Sequence, residues 1–178
     1  MKTLLILRHA KSSWDDPALE DHDRPLNDRG RRDAPRVGLM LKERNTIPDA
    51  ILSSTAYRAQ DTAKRICEHC SLDIKISSVP DFYPGRSQNY IQALSELPDD
   101  VKAVMVVGHN PGLEEFLASL TGVHEDLPTA ALAHLELPIN DWKELSIKTK
   151  ATLIHIWRPK LTNSSFALGE IAREPTAP

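Results

Sequence analysis

Five residues able to do chemistry follow short apolar runs. Arg8 and His9 come directly after Leu4-Leu5-Ile6-Leu7, and Arg58 closes the stretch Ser53-Ser54-Thr55-Ala56-Tyr57-Arg58. Asp81 follows the weaker run 74–79, and His109 stands in Gly108-His109-Asn110-Pro111, at the end of Val-Lys-Ala-Val-Met-Val-Val-Gly. Arginine forks match the oxygens of a phosphoryl group, and a helix N-terminus adds free backbone N–H groups for an anion. A histidine beside such a guest can act as nucleophile, because imidazole attacks phosphorus readily and leaves readily. Nearby arginines would disfavour its protonation and keep a lone pair available near neutral pH. Taken singly, each residue has an ordinary explanation as a surface charge, a turn or a helix cap. Their common placement after strand-like runs carries the inference.

The runs at 3–8, 50–53 and 101–108 are short and continuously apolar, as buried strands are, and 74–79 is a weaker case. Helical spacing fills the intervals. A helix from Asn27/Asp28 to about residue 45 is expected, with Pro35 kinking or delaying it. Further helices are expected at 56–70, 87–97 and 111–121, the last with Asn110 as N-cap, Pro111 at the first helical position and Gly122 as stop. Two partly alternating strands, 130–137 and 151–157, complete the order. This alternation predicts an α/β fold, a three-layer α/β/α sandwich with a mostly parallel central sheet. The carboxyl ends of parallel strands share one edge, where a ligand crevice forms, so Arg8, His9, Arg58, Asp81 and His109 should converge there.

A chain of 178 residues fits one domain, expected at 1–161, followed by a loosely held tail at 162–178 rich in Ser, Thr, Pro and small residues. Lys and Arg number 22 against 25 Asp and Glu, a net charge of −3, which gives no bulk reason to expect nucleic acid or an acidic membrane as partner. No apolar stretch approaches the roughly 20 residues of a membrane span. The only two cysteines, Cys67 and Cys70, cannot build a disulfide framework. A soluble, cytoplasmic protein is the expectation.

An ordered set of motifs narrows the reading. Leu7-Arg8-His9-Ala10-Lys11-Ser12-Ser13-Trp14, Asp23-Arg24-Pro25-Leu26-Asn27-Asp28-Arg29-Gly30, Ser53-Ser54 with Arg58-Ala59 and Thr62-Ala63, and Gly108-His109-Asn110-Pro111 together resemble the histidine phosphatase, or phosphoglycerate mutase-like, superfamily. Arg-His-Ala and the short length are similar to its SixA-type phosphohistidine phosphatase branch. The resemblance implies a phosphoglycerate mutase-like fold and transfer of a phosphoryl group to His9, followed by attack of water. Arg8, Arg58 and His109 would complete the phosphate pocket. It implies no cofactor and no metal, because arginines can supply the charge that a metal would bring. Asp81 occupies the place where relatives often carry a glutamate general acid. Asp15, Asp16 and Asp21 are lesser candidates for that role, and Lys11 and Ser12 are candidate phosphate contacts.

The implied substrate is a phosphorylated protein or a small phosphomonoester. Two alternatives stay open: a small-metabolite phosphatase or mutase, and a phosphate-binding module without turnover. Little length is spare for a lid, which favours a bulky substrate. The spacing Cys67-Glu-His-Cys70 invites a zinc or redox reading, but a second ligand pair is missing and Cys70 joins an apolar helical stripe. Scattered His22, His124, His134 and His155 read as surface or core residues, and the tail motif Pro175-Thr176-Ala177-Pro178 is too short to carry a function.

Overall fold

The computed structural model describes residues 1–159, so the tail expected at 162–178 and the domain end at 161 lie outside the described residues. Among the described residues six strands form one sheet: β1 (Lys2–Arg8), β2 (Ala50–Ser54), β3 (Lys75–Val79), β4 (Ala103–Gly108), β5 (Leu132–Leu137) and β6 (Thr152–Trp157). Their spatial order is β3-β2-β4-β1-β5-β6. The first four neighbours pair in parallel, and β5 and β6 add an antiparallel pair beside β1.

The helices α1 (Asp28–Glu43), α2 (Tyr57–Cys70), α3 (Ser87–Ser95) and α4 (Gly112–Thr121) cover the two faces. Alternate residues of β1 point to opposite sides, as the two-residue period of a strand requires. Leu5 and Leu7 meet Met105, Val107 and the apolar faces of α1 and α2. Leu4 and Ile6 meet Val104, Val106, α3, α4 and Trp142 on the other side. Both β1 and β4 are therefore buried from two sides, which is why they read as unbroken apolar runs.

Several boundaries differ from the sequence expectation for physical reasons. The run at 101–108 is in the strand only from Ala103, because the Val101 carbonyl serves side-chain donors. The buried Lys2 ammonium donates to Asp99 and Val101 carbonyls at 2.8 Å each, and Trp142 Nε1 donates to the Val101 carbonyl at 2.8 Å. The fifth strand starts at Leu132, since Ala130 turns at φ 62° and its N–H bonds the carbonyls of Arg8 and His9. Helix α1 runs through Pro35 without interruption, its buried Ala34, Val37 and Leu41 held in the layer shared with α2. Asn110 is not the cap of α4: Pro111 takes that position, and the Asn110 amide instead donates to Glu114 Oε1 at 2.7 Å and the Leu127 carbonyl at 3.0 Å.

Candidate active site

The sheet order itself creates the crevice. Neighbouring strands β1 and β4 are parallel with Arg8 level with Gly108, so their next residues, His9 and His109, leave the sheet side by side. The chain after β1 goes on to α1 on one face, while the chain after β4 goes on to α4 on the other. Such a divergence opens a gap at the strand ends, and helix starts border it. Arg58 and Ser54 arrive from the end of β2 and the first turn of α2.

His9 is held firmly. Its N–H donates to the Gly108 carbonyl at 3.1 Å, extending the β1–β4 ladder, and Ala10 N–H donates to Thr62 Oγ1 at 3.0 Å. Thr62 in turn donates to the Arg58 carbonyl at 2.6 Å, tying the two chain segments together. Behind His109, Gly108 is required by a close approach. A Cβ there would lie 2.2 Å from the hydroxyl of the buried Tyr90.

The hydrogen bonds settle both imidazole tautomers. His9 Nδ1 lies 2.7 Å from the Ala10 carbonyl, which can only accept, so Nδ1 carries the proton. Nε2 then keeps its lone pair, and it accepts from Arg58 Nε at 3.3 Å. For His109 the roles reverse: Arg58 Nη2 can only donate, 3.4 Å from Nδ1, so Nε2–H donates to Ser54 Oγ at 2.8 Å. The two rings sit with centroids 5.0 Å apart.

Both rings stay neutral. Burial, with lesser contributions from His109 and the arginine charges, lowers the pKa of His9 to about 3. Burial followed by the charge of Arg58 lowers His109 to about 3 as well. The direction agrees with the sequence expectation, but removal from water outweighs the neighbouring charges.

Arg8 lies beside this pair and contributes to the positive potential at both histidines. Its Nη1 donates to the Leu127 carbonyl at 2.9 Å, while its buried Nε has no partner among the described residues. Glu114 Oε1 accepts from Asn110 and, at 2.9 Å, from Leu127 N–H, bracing the carbonyl that holds Arg8.

Not every expected residue joins the cluster. Lys11 and Asp81 are exposed, and neither takes part in the hydrogen bonds that connect the histidines and arginines. Ser12 is buried, but its hydroxyl accepts from Arg24 Nη2 at 2.7 Å and so reaches the site only through that side chain. Ser54, Tyr83 and the full engagement of Asp21 were not legible beforehand. Tyr83 is two positions beyond Asp81, and its ring packs edge-on against His109 at 5.4 Å. An aromatic pair after Asp81 was the only available signal. Cys67 and Cys70 are free thiols on the buried side of α2, and burial raises the pKa of both.

A neutral imidazole whose lone pair faces a guanidinium, a second imidazole and a second guanidinium are groups suited to a phosphatase that works by histidine chemistry. The profile of the histidine phosphatase superfamily (branch 1) matches residues 4–82. Over 152 residues the chain is 35% identical to a chloroplastic protein of Arabidopsis thaliana, spanning 80% of this chain and 70% of the relative. A candidate phosphohistidine phosphatase SixA from Agrobacterium tumefaciens superposes with a TM-score of 0.76 at 30% identity, covering 89% of this chain and 98% of that one. The protein histidine phosphatase SixA solved with tungstate shares the fold, with a TM-score of 0.74 at 23% identity over 86% and 95% of the two chains. The chain belongs to the histidine phosphatase superfamily, and its architecture is that of the SixA structures. No helix among the described residues is long and apolar enough to cross a membrane.

Proposed function

We propose that the protein hydrolyses phosphohistidine in proteins, with His9 as the nucleophile. The observation that carries this reading is the His9 Nε2 lone pair, kept unprotonated and facing Arg58 and the His109 ring. In the first step Nε2 attacks phosphorus, the bond from phosphorus to the substrate imidazole breaks, and that imidazole leaves with the bonding pair and takes up a proton. In the second step water attacks the phosphoryl group on His9, the bond from phosphorus to Nε2 breaks and its pair returns to the ring, a proton of the water is lost to solvent, and inorganic phosphate departs. Arg8 and Arg58 would supply positive donors where the phosphoryl oxygens would sit, and the neutral His109 ring would border the same place. A loose phosphoryl transition state gains most from fixed positive donors around its equatorial oxygens. An imidazole is a good leaving group, so this substrate class makes small demands on a general acid. Asp81 remains the proposed proton donor for poorer leaving groups, Lys11 would meet the substrate from the rim, and Ser12 would act through Arg24.

Turnover of a phosphohistidine peptide, a phosphoglycerate and an aryl phosphate by the intact chain tests this function. The expected result is fastest release from the peptide, an acid-labile and base-stable phosphoryl group on the protein, and a loss of about 10³-fold or more in His9→Ala. Unchanged turnover in that variant would refute the mechanism. Preference for the phosphoglycerate would assign a small-metabolite phosphatase, and tight phosphate binding without hydrolysis would assign a binding module.

A further inference from the structure

The most densely bonded carboxylate near the site belongs to a residue outside the strand-end set. Asp21 opens a short 3-10 turn, Asp21–Asp23, in the loop between β1 and α1. Its Oδ2 accepts from Arg58 Nη2 at 3.0 Å and from the Tyr83 hydroxyl at 2.7 Å, while Oδ1 accepts from Arg24 Nη1 at 2.8 Å. The Asp21 carbonyl accepts from Arg58 Nη1. Arg24 is itself anchored, to the Ser13 carbonyl at 2.9 Å and Ser12 Oγ at 2.7 Å, with its guanidinium carbon 3.2 Å from the Trp14 ring centroid. Three separate segments, the loop after β1, the start of α2 and the turn after β3, therefore meet at this one side chain.

The engagement divides the Arg58 guanidinium into two edges. Its terminal edge, Nη1 and Nη2, is clamped by the carbonyl and carboxylate of Asp21. Its side edge, Nε and Nη2, faces His9 Nε2 and His109 Nδ1. Those two ring atoms border the space that a transferred phosphoryl group would occupy. A planar fork held along one edge presents the other in a fixed direction, and donors fixed in advance need not reorganise during reaction.

We infer that Asp21 is a positioning residue, whose clamp on the terminal edge of Arg58 aims the side edge at the phosphoryl group between His9 and His109. A second effect of the carboxylate opposes the first: its negative charge competes with a bound phosphoryl group for the same guanidinium. Replacing Asp21 should thus lower the rate of the chemical step while leaving phosphate affinity intact or raised. The cluster also accounts for Tyr83 and Arg24, which steady Asp21 from either side. Against the cost of removing it from water, hydrogen bonds from Tyr83 and Arg24 and the charge of Arg58 keep the Asp21 carboxyl below its ordinary range. It is therefore ionised at neutral pH and poorly suited to donate a proton.

This inference rests on the proposed phosphatase reading, and the test separates the two. Steady-state hydrolysis of an aryl phosphate and calorimetric binding of inorganic phosphate are measured for the intact chain, Asp21→Asn, Asp21→Glu and Tyr83→Phe, with melting followed in parallel. In Asp21→Asn, kcat should fall about tenfold or more while phosphate binds at least as tightly as before. Asp21→Glu should recover part of the rate, and Tyr83→Phe should show a smaller loss in the same direction. A kcat within twofold of the parent, or phosphate affinity falling in step with kcat, would overturn the role. If the parent hydrolyses nothing, the phosphatase reading fails by itself. The phosphate affinities then decide: weaker or unchanged binding in Asp21→Asn overturns the clamp, and tighter binding upholds it.

Discussion

Burying two neutral histidines makes folding sensitive to mild acid. His9 and His109 are 7% and 5% exposed, and both are lowered to about 3 from an unfolded value of about 6.5. Between those values the unfolded chain binds protons that the native state refuses. Stability therefore rises with pH across this window and is lost as pH falls from about 6.5 toward about 3. At pH 7 the unfolded rings are mostly neutral and the penalty is small. At pH 5 each histidine costs about 2 kcal/mol, so the pair costs about 4 kcal/mol relative to pH 7 if the two titrate independently. Urea unfolding followed by tryptophan fluorescence at pH 7 and pH 5 measures the difference, while most ordinary carboxylates remain ionised. In His9→Gln the fall between the two pH values should shrink by about 2 kcal/mol, or about 1 M in urea midpoint. His109→Gln should give the same result independently. Because absolute stability cancels from the comparison, damage from the substitution does not obscure it. An undiminished pH dependence in both variants would show that these rings take up protons at pH 5 in the native state as readily as in the unfolded one, and would refute the burial argument for their lowered pKa.

Two further perturbations follow from particular contacts. Asp81→Asn should leave hydrolysis of a phosphohistidine peptide within about twofold, since an imidazole leaves readily, and should slow an alkyl phosphate more; a loss of about tenfold or more on both substrates would make Asp81 the general acid for each. Gly108→Ala forces a methyl group to within 2.2 Å of the Tyr90 hydroxyl and should destabilise the fold by about 1–3 kcal/mol in urea unfolding. Adding Tyr90→Phe should recover part of that loss, and a neutral single variant would show that β4 and α3 are not in close contact there.

The layer plan and the convergence of four candidate site residues were legible because local pattern carries them. A strand buried on both faces reads as an unbroken apolar run, and its last residue marks the ligand edge of a parallel sheet. Arg8, His9 and His109 stand directly at such ends, and Arg58 follows one by a single turn, so their convergence followed from alternation of strands and helices. The antiparallel β5 and β6 kept their places because alternation survives on a sheet margin.

What only the tertiary structure decided lies in residues whose partners come from distant segments. Asp21 sits 37 positions from Arg58 and 62 from Tyr83, in a loop without periodicity, and no local pattern distinguishes it from Asp15 or Asp16. Ser54 gains its role from the imidazole of His109, 55 positions away. Asn110 looked like a helix cap because capping is a local preference, yet the carbonyl of Leu127 and the carboxylate of Glu114 draw its amide elsewhere. Local sequence determines which groups reach the edge of the sheet, because strand ends follow from short-range pattern and burial. Which nitrogen holds a proton, which edge of a guanidinium faces inward and which carboxylate clamps it depend on distances across the fold, and those exist only once the chain has closed.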